Sequence, residues 1–170
     1  MTVAEFEQFL ETHEQDVFTF CKHLAASHHT ACDLYQETAL AAFAMVKRLD
    51  TSHNPKAFLF AIAVGKWKNM RRKAARRQTI APEIPLEQWQ STGGNSTEQA
   101  ALDNLQQEAI HRAVNSLDDK FRIPLILHYF GNHPLEAIAQ VCDIPAGTVK
   151  SRLHKARALL AKILQKEGFA

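Results

Sequence analysis

Two stretches of this sequence carry residue types and spacings suited to a polyanion. The first is Lys66-Trp67-Lys68-Asn69-Met70-Arg71-Arg72-Lys73 followed by Arg76-Arg77, seven bases and no acid around one indole. Cations at this density neutralise phosphates. An aromatic ring among them can stack on an unpaired base or pack into a core, and the sequence leaves both uses of Trp67 open. The second stretch places Thr148, Lys150, Ser151, Arg152, His154, Lys155 and Arg157 around the apolar Val149 and Leu153. Arg pairs with guanine edges through two donors, while Lys, Ser and Thr suit phosphates or mixed contacts. A third set is acidic: Asp33, Gln36, Glu37 and Leu40 recur at i, i+3, i+4 and i+7, one face of a helix. Such a face suits a basic protein partner, although a solvated helix face is the default reading of these residues alone.

Other chemistry has little support. Cys21-x-His23, His28-His29 and Cys32 could supply soft metal ligands. They match no tight Cys-x-x-Cys or His-Glu-x-x-His spacing, and Cys21 is needed on an apolar stripe. A metal-dependent enzyme built on segment 21–32 is thus a minor alternative. No Gly-rich phosphate loop and no Gly-x-Ser-x-Gly turn occurs. The expectation is a non-enzyme that needs no metal, nucleotide or organic cofactor.

The elements that must hold these residues are helical. Six glycines in 170 residues and few β-branched runs argue for an all-α chain. Thr2-x-x-Glu5 forms a capping box for a first helix, with Val17, Phe20, Cys21 and Leu24 on one face. Thr30-x-x-Asp33 can open a second helix, with Leu34, Thr38, Ala41, Ala42, Met45 and Leu49 inward. Asn54-Pro55 is a strong start signal for a third, which runs through Phe58, Leu59 and Ile62 into the basic stretch. Residues 80–97, with Pro82, Pro85 and Ser91-Thr92-Gly93-Gly94-Asn95-Ser96-Thr97, read as a linker. A fourth helix from Ser96-Thr97-Glu98 carries Leu102, Leu105 and Ile110. Ile123, Ile126, Leu127 and Phe130 follow at helical spacing. Leu135, Ile138, Ala139 and Cys142 then share a face, Asp143-Ile144-Pro145 breaks it, and Val149, Leu153, Ala156, Leu160 and Ile163 make the last stripe. Helix, short turn and a helix with a basic outer face form a helix-turn-helix.

The formal net charge of +2 conceals strong segregation. Residues 1–46 hold seven acids and one base, residues 47–77 ten bases and one acid, residues 83–119 seven acids and one base, and residues 120–170 eight bases and three acids. Two basic blocks around an acidic one suggest two surfaces for a polyanion. The chain shows no secretion signal and no apolar run approaching the ~18 residues of a spanning helix. Three widely spaced cysteines fit reduced thiols. A cytoplasmic protein without membrane insertion is expected.

In combination, these motifs resemble the extracytoplasmic-function (ECF) group of the sigma-70 family of bacterial RNA polymerase sigma factors. That family's first domain carries an Asp-Leu-x-Gln-Glu-Thr motif, matched by Asp33-Leu34-Tyr35-Gln36-Glu37-Thr38. Its basic helix is matched by Lys56 to Arg77, and its C-terminal signature by Ile144 to Arg157, with Lys155 in place of one Arg. The chain departs from the family at Val64-Gly65, where Arg-Asn is usual, at Asp143, where glycine is frequent, and at His133-Pro134, where Ser or Thr opens the helix. The resemblance implies two small helical domains joined by a flexible linker, the C-terminal one the helix-turn-helix. Residues 1–78 would be a region 2-like domain, 79–105 the linker and 106–170 a region 4-like domain. Asp33, Leu34, Gln36, Glu37 and Leu40 would dock on core RNA polymerase. The loop with Asp50, Ser52 and Asn54 would hold a base of the −10 element. Lys66, Trp67, Lys68, Arg71, Arg72, Lys73, Arg76 and Arg77 would follow its strand. Thr148, Lys150, Ser151, Arg152, His154, Lys155 and Arg157 would read the −35 element. Core polymerase, promoter DNA and an anti-sigma factor are the partners implied. A two-domain helix-turn-helix regulator without sigma activity is the alternative.

Overall fold

The computed structural model describes residues 2–46, 54–80 and 98–169. These residues form seven α-helices and no strand. Helix α1 (Val3–Leu24) opens at the expected capping box. Glu5 N donates to Thr2 Oγ1 at 3.2 Å, and Thr2 N donates to the Glu5 carboxylate at 2.7 Å. Val17, Phe20, Cys21 and Leu24 are buried on one stripe, as their spacing requires. Helix α2 (His28–Ala44) begins earlier than the Thr30 signal suggests. Ser27 is its cap, with Oγ accepting from Thr30 N at 3.2 Å. Leu34, Thr38 and Ala42 face inward, whereas Met45 faces solvent, at the helix C-cap. The buried Thr38 hydroxyl donates to the Leu34 carbonyl at 2.7 Å, so no polar atom is stranded there.

Helix α3 (Pro55–Ile80) starts as its sequence dictates. Ala57 N donates to Asn54 Oδ1 at 3.2 Å, and Pro55 occupies the first helical position, where an N–H would have no helical partner. Its buried residues Ala57, Leu59, Phe60, Ala63, Val64 and Trp67 make a broad stripe. The width follows from its neighbours, since α1, α2 and α6 all pack on it. Val64 joins the core, while Gly65 faces open space. Every side chain from Arg71 to Thr79 is exposed, so the last turns stand clear of the bundle.

The second unit comprises α4 (Glu98–Asn115), α5 (Asp119–Tyr129), α6 (Leu135–Cys142) and α7 (Ala146–Lys166). Helix thus enters the expected linker 79–105 from both ends; residues 81–97 lie outside the described residues. Helix α4 buries Ala109, Ala113 and Val114, not Leu105 and Ile110, which face solvent. Helix α5 is capped by Asp118, whose Oδ1 accepts from Lys120 N at 3.2 Å. It buries Ile123, Leu125, Ile126 and Leu127, while Phe130 just beyond it stays half-exposed. A Cβ at Gly131 would lie 2.8 Å from the Leu127 carbonyl oxygen and 2.5 Å from the His133 ring, so only glycine fits that turn. The helix-turn-helix joint between α6 and α7 is Asp143, at φ 54 and ψ 52. This is the left-handed conformation that aspartate tolerates better than most residues.

The two units are docked. Helix α3 packs on α6 and α1 on α5, and side chains from both units fill one continuous core. The sequence pattern implied two modules and a tether, without a sign that the modules touch.

Candidate nucleic-acid and partner interfaces

The acidic face lies on α2. Asp33, Gln36, Glu37 and Leu40 are exposed on one side of the helix, with Leu40 67% accessible. His29 Nε2 approaches Asp33 Oδ2 at 3.4 Å. Lys66 Nζ donates to Glu37 Oε2 at 2.9 Å, and this pairing holds the Glu37 carboxyl below its ordinary pKa. The acidic face and the basic helix are therefore tied together. Leu34, expected on this surface, has no accessible area. It supports the face from beneath, because its position in the motif falls on the side of α2 that packs into the core.

The cations of α3 divide around the helix at 100° per residue. Lys66, Lys73 and Arg77 form one row, and Lys68, Arg72 and Arg76 another. Arg72 also donates to Asn69 Oδ1. Asp50 and Ser52 lie outside the described residues, and Asn54 is occupied as the cap of α3. Trp67 is the exception in this run. It is 5% exposed, and its Nε1 donates to Asp119 Oδ2 at 3.1 Å. In this conformation it is a core residue of the domain seam and is not offered to a base.

On α7, Val149, Leu153 and Ala156 are buried and place the polar residues outside. Lys150, Ser151, His154, Lys155 and Arg157 are exposed, and Thr148 and Arg152 partly so. They form two edges. Thr148, Ser151, Arg152 and Lys155 share one, while Lys150, His154 and Arg157 share the other. Lys155 Nζ sits 5.6 Å from the Phe121 ring, near the start of α5. Arg157 instead folds back, with Nε on the Leu153 carbonyl at 3.3 Å and Nη1 3.5 Å from Tyr129 Oη, at the end of α5. Arg157 thus lies apart from the Arg152 edge.

The seam between the units holds residues that motif reasoning passed over. Arg122 is 5% exposed. Its Nη2 donates to the Leu24 carbonyl at 3.1 Å and pairs with Asp119 Oδ1 at 3.0 Å. Its guanidinium lies 5.2 Å from the Trp67 ring centre. Leu24 ends α1, so its carbonyl lacks a helical donor, and the cation meets the negative end of the helix dipole. Arg71 Nε approaches Asp119 Oδ2 at 3.7 Å. The His133 ring meets Phe60 edge-on at 4.6 Å. The His23 ring stacks on Phe130 at 3.9 Å and lies 5.6 Å from His111. Burial pushes the His23 pKa down to about 4, and His111 and Lys22 push the same way. Burial also lowers His133, with Lys56 assisting and Asp16 opposing. Charge alone could have marked Arg122 and Asp119, but nothing in their spacing assigns them to an interface.

The soft ligands of segment 21–32 do not converge. Cys21 is buried on α1, where desolvation raises its thiol to about 12. Cys32 Sγ has His28 Nε2 as a neighbour at 3.5 Å. Among the described residues no group of three or more His, Cys, Asp or Glu could hold a metal ion. No helix among them is long and apolar enough to cross a membrane.

Comparison with known proteins agrees with this layout. Residues 9–77 match the family model for Sigma-70 region 2, and residues 107–160 that for Sigma-70, region 4. The ECF RNA polymerase sigma factor SigW of Bacillus subtilis is 24% identical over 94% of this chain and 89% of its own length. The ECF RNA polymerase sigma factor EcfG of Rhodopseudomonas palustris is 29% identical over 88% and 79%. Among solved structures, the sigma factor RpoE of Bartonella quintana, in complex with the anti-sigma factor NepR, superposes with a TM-score of 0.78 at 28% identity, covering 96% of this chain and 98% of that one. CnrH, in complex with the cytosolic domain of CnrY, shares the fold at a TM-score of 0.71 and 19% identity, covering 97% and 90%. With both family regions present in the expected order, this chain belongs to the ECF group of the sigma-70 family, the sigma factors that direct RNA polymerase to promoters.

Proposed function

We propose that this chain captures core RNA polymerase through Asp33, Gln36, Glu37 and Leu40, and that its two cationic helices grip separate stretches of one promoter. The observation that carries this reading is the exposure of all three surfaces on one chain: an acidic face on α2, a clear-standing basic helix α3 and the polar edges of α7. Phosphate attraction supplies affinity on both DNA surfaces. The edge with Arg152 supplies readout of the −35 duplex, because an Arg fork distinguishes guanine from other bases. Opening the −10 duplex costs a few kcal/mol per extruded base. Lys66, Lys68, Arg72, Lys73, Arg76 and Arg77 repay part of this by holding the freed strand. RNA synthesis itself stays with the polymerase, so this chain supplies differential binding and no covalent step. It works in the cytoplasm, where the polymerase and the chromosome are. An anti-sigma factor regulates it, a reading supported by the NepR complex of the related RpoE.

The test is transcription in vitro with sigma-free core polymerase and genomic DNA, with the start sites mapped. Discrete starts that require this chain are expected, and their loss in an Asp33→Arg, Gln36→Ala variant, together with its weaker recovery on immobilised core polymerase, would assign the α2 face. Tight operator binding by the free chain, with no starts added, would overturn the reading in favour of a regulator without sigma activity.

A further inference from the structure

We infer that Phe121 and Tyr129, at the two ends of α5, are positioning residues of the −35 surface. They aim Lys155 and Arg157, from opposite edges of α7, at the phosphates of the two strands that border its groove. This inference rests on the reading of α7 as the −35 surface.

Lys155 and Arg157 are two residues apart in α7, about 200° around the helix. Each meets a different end of α5. Lys155 Nζ lies 5.6 Å from the ring centre of Phe121, in the first turn. Arg157 Nη1 lies 3.5 Å from Tyr129 Oη, at the last residue. Between those rings α5 buries Ile123, Ile126 and Leu127 and packs on α7. The rings stand eight positions apart, a rise of about 12 Å, which matches the width of a helix with its side chains. Helix α5 is therefore a crossbar beneath α7, and one aromatic residue emerges on each side.

The chemistry of these partners suits aiming and not neutralising. A carboxylate partner, as Glu37 is for Lys66, offsets the charge that a phosphate would meet. Phe121 and Tyr129 are uncharged, so each cation is steered with its charge intact. The second cation at the Phe121 ring, Lys120 at 5.1 Å, pairs with Asp118 at 3.6 Å, so Lys155 carries the charge that this end presents. Arg157 is fixed at a second point, where Nε donates to the Leu153 carbonyl at 3.3 Å. That leaves the rest of its five donors for an oxyanion. The Tyr129 ring is half-exposed and is braced edge-on by His128 at 5.0 Å.

Position along α7 assigns these two cations to the DNA backbone. Thr148 and Arg152 lie in its first two turns, the part of a recognition helix that reaches base edges. Lys155 and Arg157 come later, and a major groove about 12 Å wide has a sugar-phosphate wall on either side. One held cation per wall fixes the depth and angle at which α7 seats, and so where Arg152 meets a base.

The experiment uses core polymerase with the full chain on a mapped promoter, read by phosphate ethylation interference and by the salt dependence of binding. The intact chain should show sensitive phosphates on both strands at −35. Lys155→Ala should erase the set on one strand and Arg157→Ala the set on the other, each lowering the salt slope by about 0.9. Phe121→Leu should weaken the same phosphates as Lys155→Ala, and Tyr129→Phe the same as Arg157→Ala, with binding reduced roughly twofold to fivefold. Phe121→Tyr, which keeps a ring, should retain the intact pattern. In a Lys155→Ala background, Phe121→Leu should add nothing. A full further loss there would mean that Phe121 acts through packing alone and would overturn the proposal, as would intact-chain patterns in both Phe121→Leu and Tyr129→Phe. Absence of any sensitive −35 phosphate with the intact chain would instead remove the −35 assignment of α7, and the proposal with it.

Discussion

Arg152 shows how a residue's role follows from its register. Burial of Val149, Leu153 and Ala156 fixes which way α7 faces, and Arg152 then shares an edge with Thr148, Ser151 and Lys155. Arg152→Ala should cost about 1–3 kcal/mol of discrimination at one −35 position, as expected for loss of one bidentate pair. Transcription from matched and base-changed promoters would measure it, and the two should converge. Lys150→Ala, on the opposite edge, should weaken all promoters alike and lower the salt dependence of binding. An Arg152→Ala chain with undiminished preference would contradict the assignment. At this scale the sequence was informative wherever periodicity set the answer, as on α7. It was silent on Arg122, because burial of a guanidinium depends on a carbonyl 98 residues away in sequence. The same silence covers Trp67, whose cationic neighbours fit either of its uses and whose acceptor, Asp119, lies 52 residues off. Leu34 sits inside the motif proposed to dock on polymerase, yet the helix turns it inward.

Helices follow their local signals closely where one capping residue dominates. Asn54-Pro55 and the Thr2-Glu5 box start α3 and α1 as read. At α2 both Ser27 and Thr30 can cap, and Ser27 wins, its Oγ also within 3.0 Å of Thr30 Oγ1. Leu105 and Ile110 were legible as helical but not as solvent-facing, because α4, which packs on α7, buries its small residues Ala109 and Ala113 instead. Helix α3 carries a testable departure from its family. Gly65 lies mid-helix, and a Cβ there meets nothing within 4 Å. Gly65→Ala should therefore stabilise the chain by about 0.5–1 kcal/mol, through the backbone entropy that glycine loses in a helix. Thermal unfolding followed by circular dichroism would show a raised midpoint. A lowered midpoint would mean that the open space is occupied in solution.

The molecule as a whole is the least legible level. Composition and motif order revealed two helical modules, but their docking depends on complementarity of shape that no local pattern records. The docked form carries a consequence for pH. His23 faces His111 from α4 and Phe130 at the end of α5, with Lys22 beside it on α1, and His133 faces Lys56 from α3 and Asp16 from α1. Burial holds both rings below their ordinary range when the units are closed, and on opening they regain values near ~6.5. The open form then binds more protons, so closure is favoured as pH rises and is fully favoured above the open-state value. It weakens as pH falls from there toward the closed-state value, about 4 for His23. Scattering between pH 8 and pH 5.5 should show the chain expanding on acidification, and His23→Phe, which keeps the stack without the titration, should flatten the response.

The most direct test of the two-surface grip is permanganate and DNase footprinting on a promoter mapped with core polymerase. The expected result is unpaired thymines at the −10 element together with protection of the −35 duplex, both requiring chain and polymerase in the same reaction. Protection by the chain alone at equal concentration, with the DNA fully paired, would contradict it.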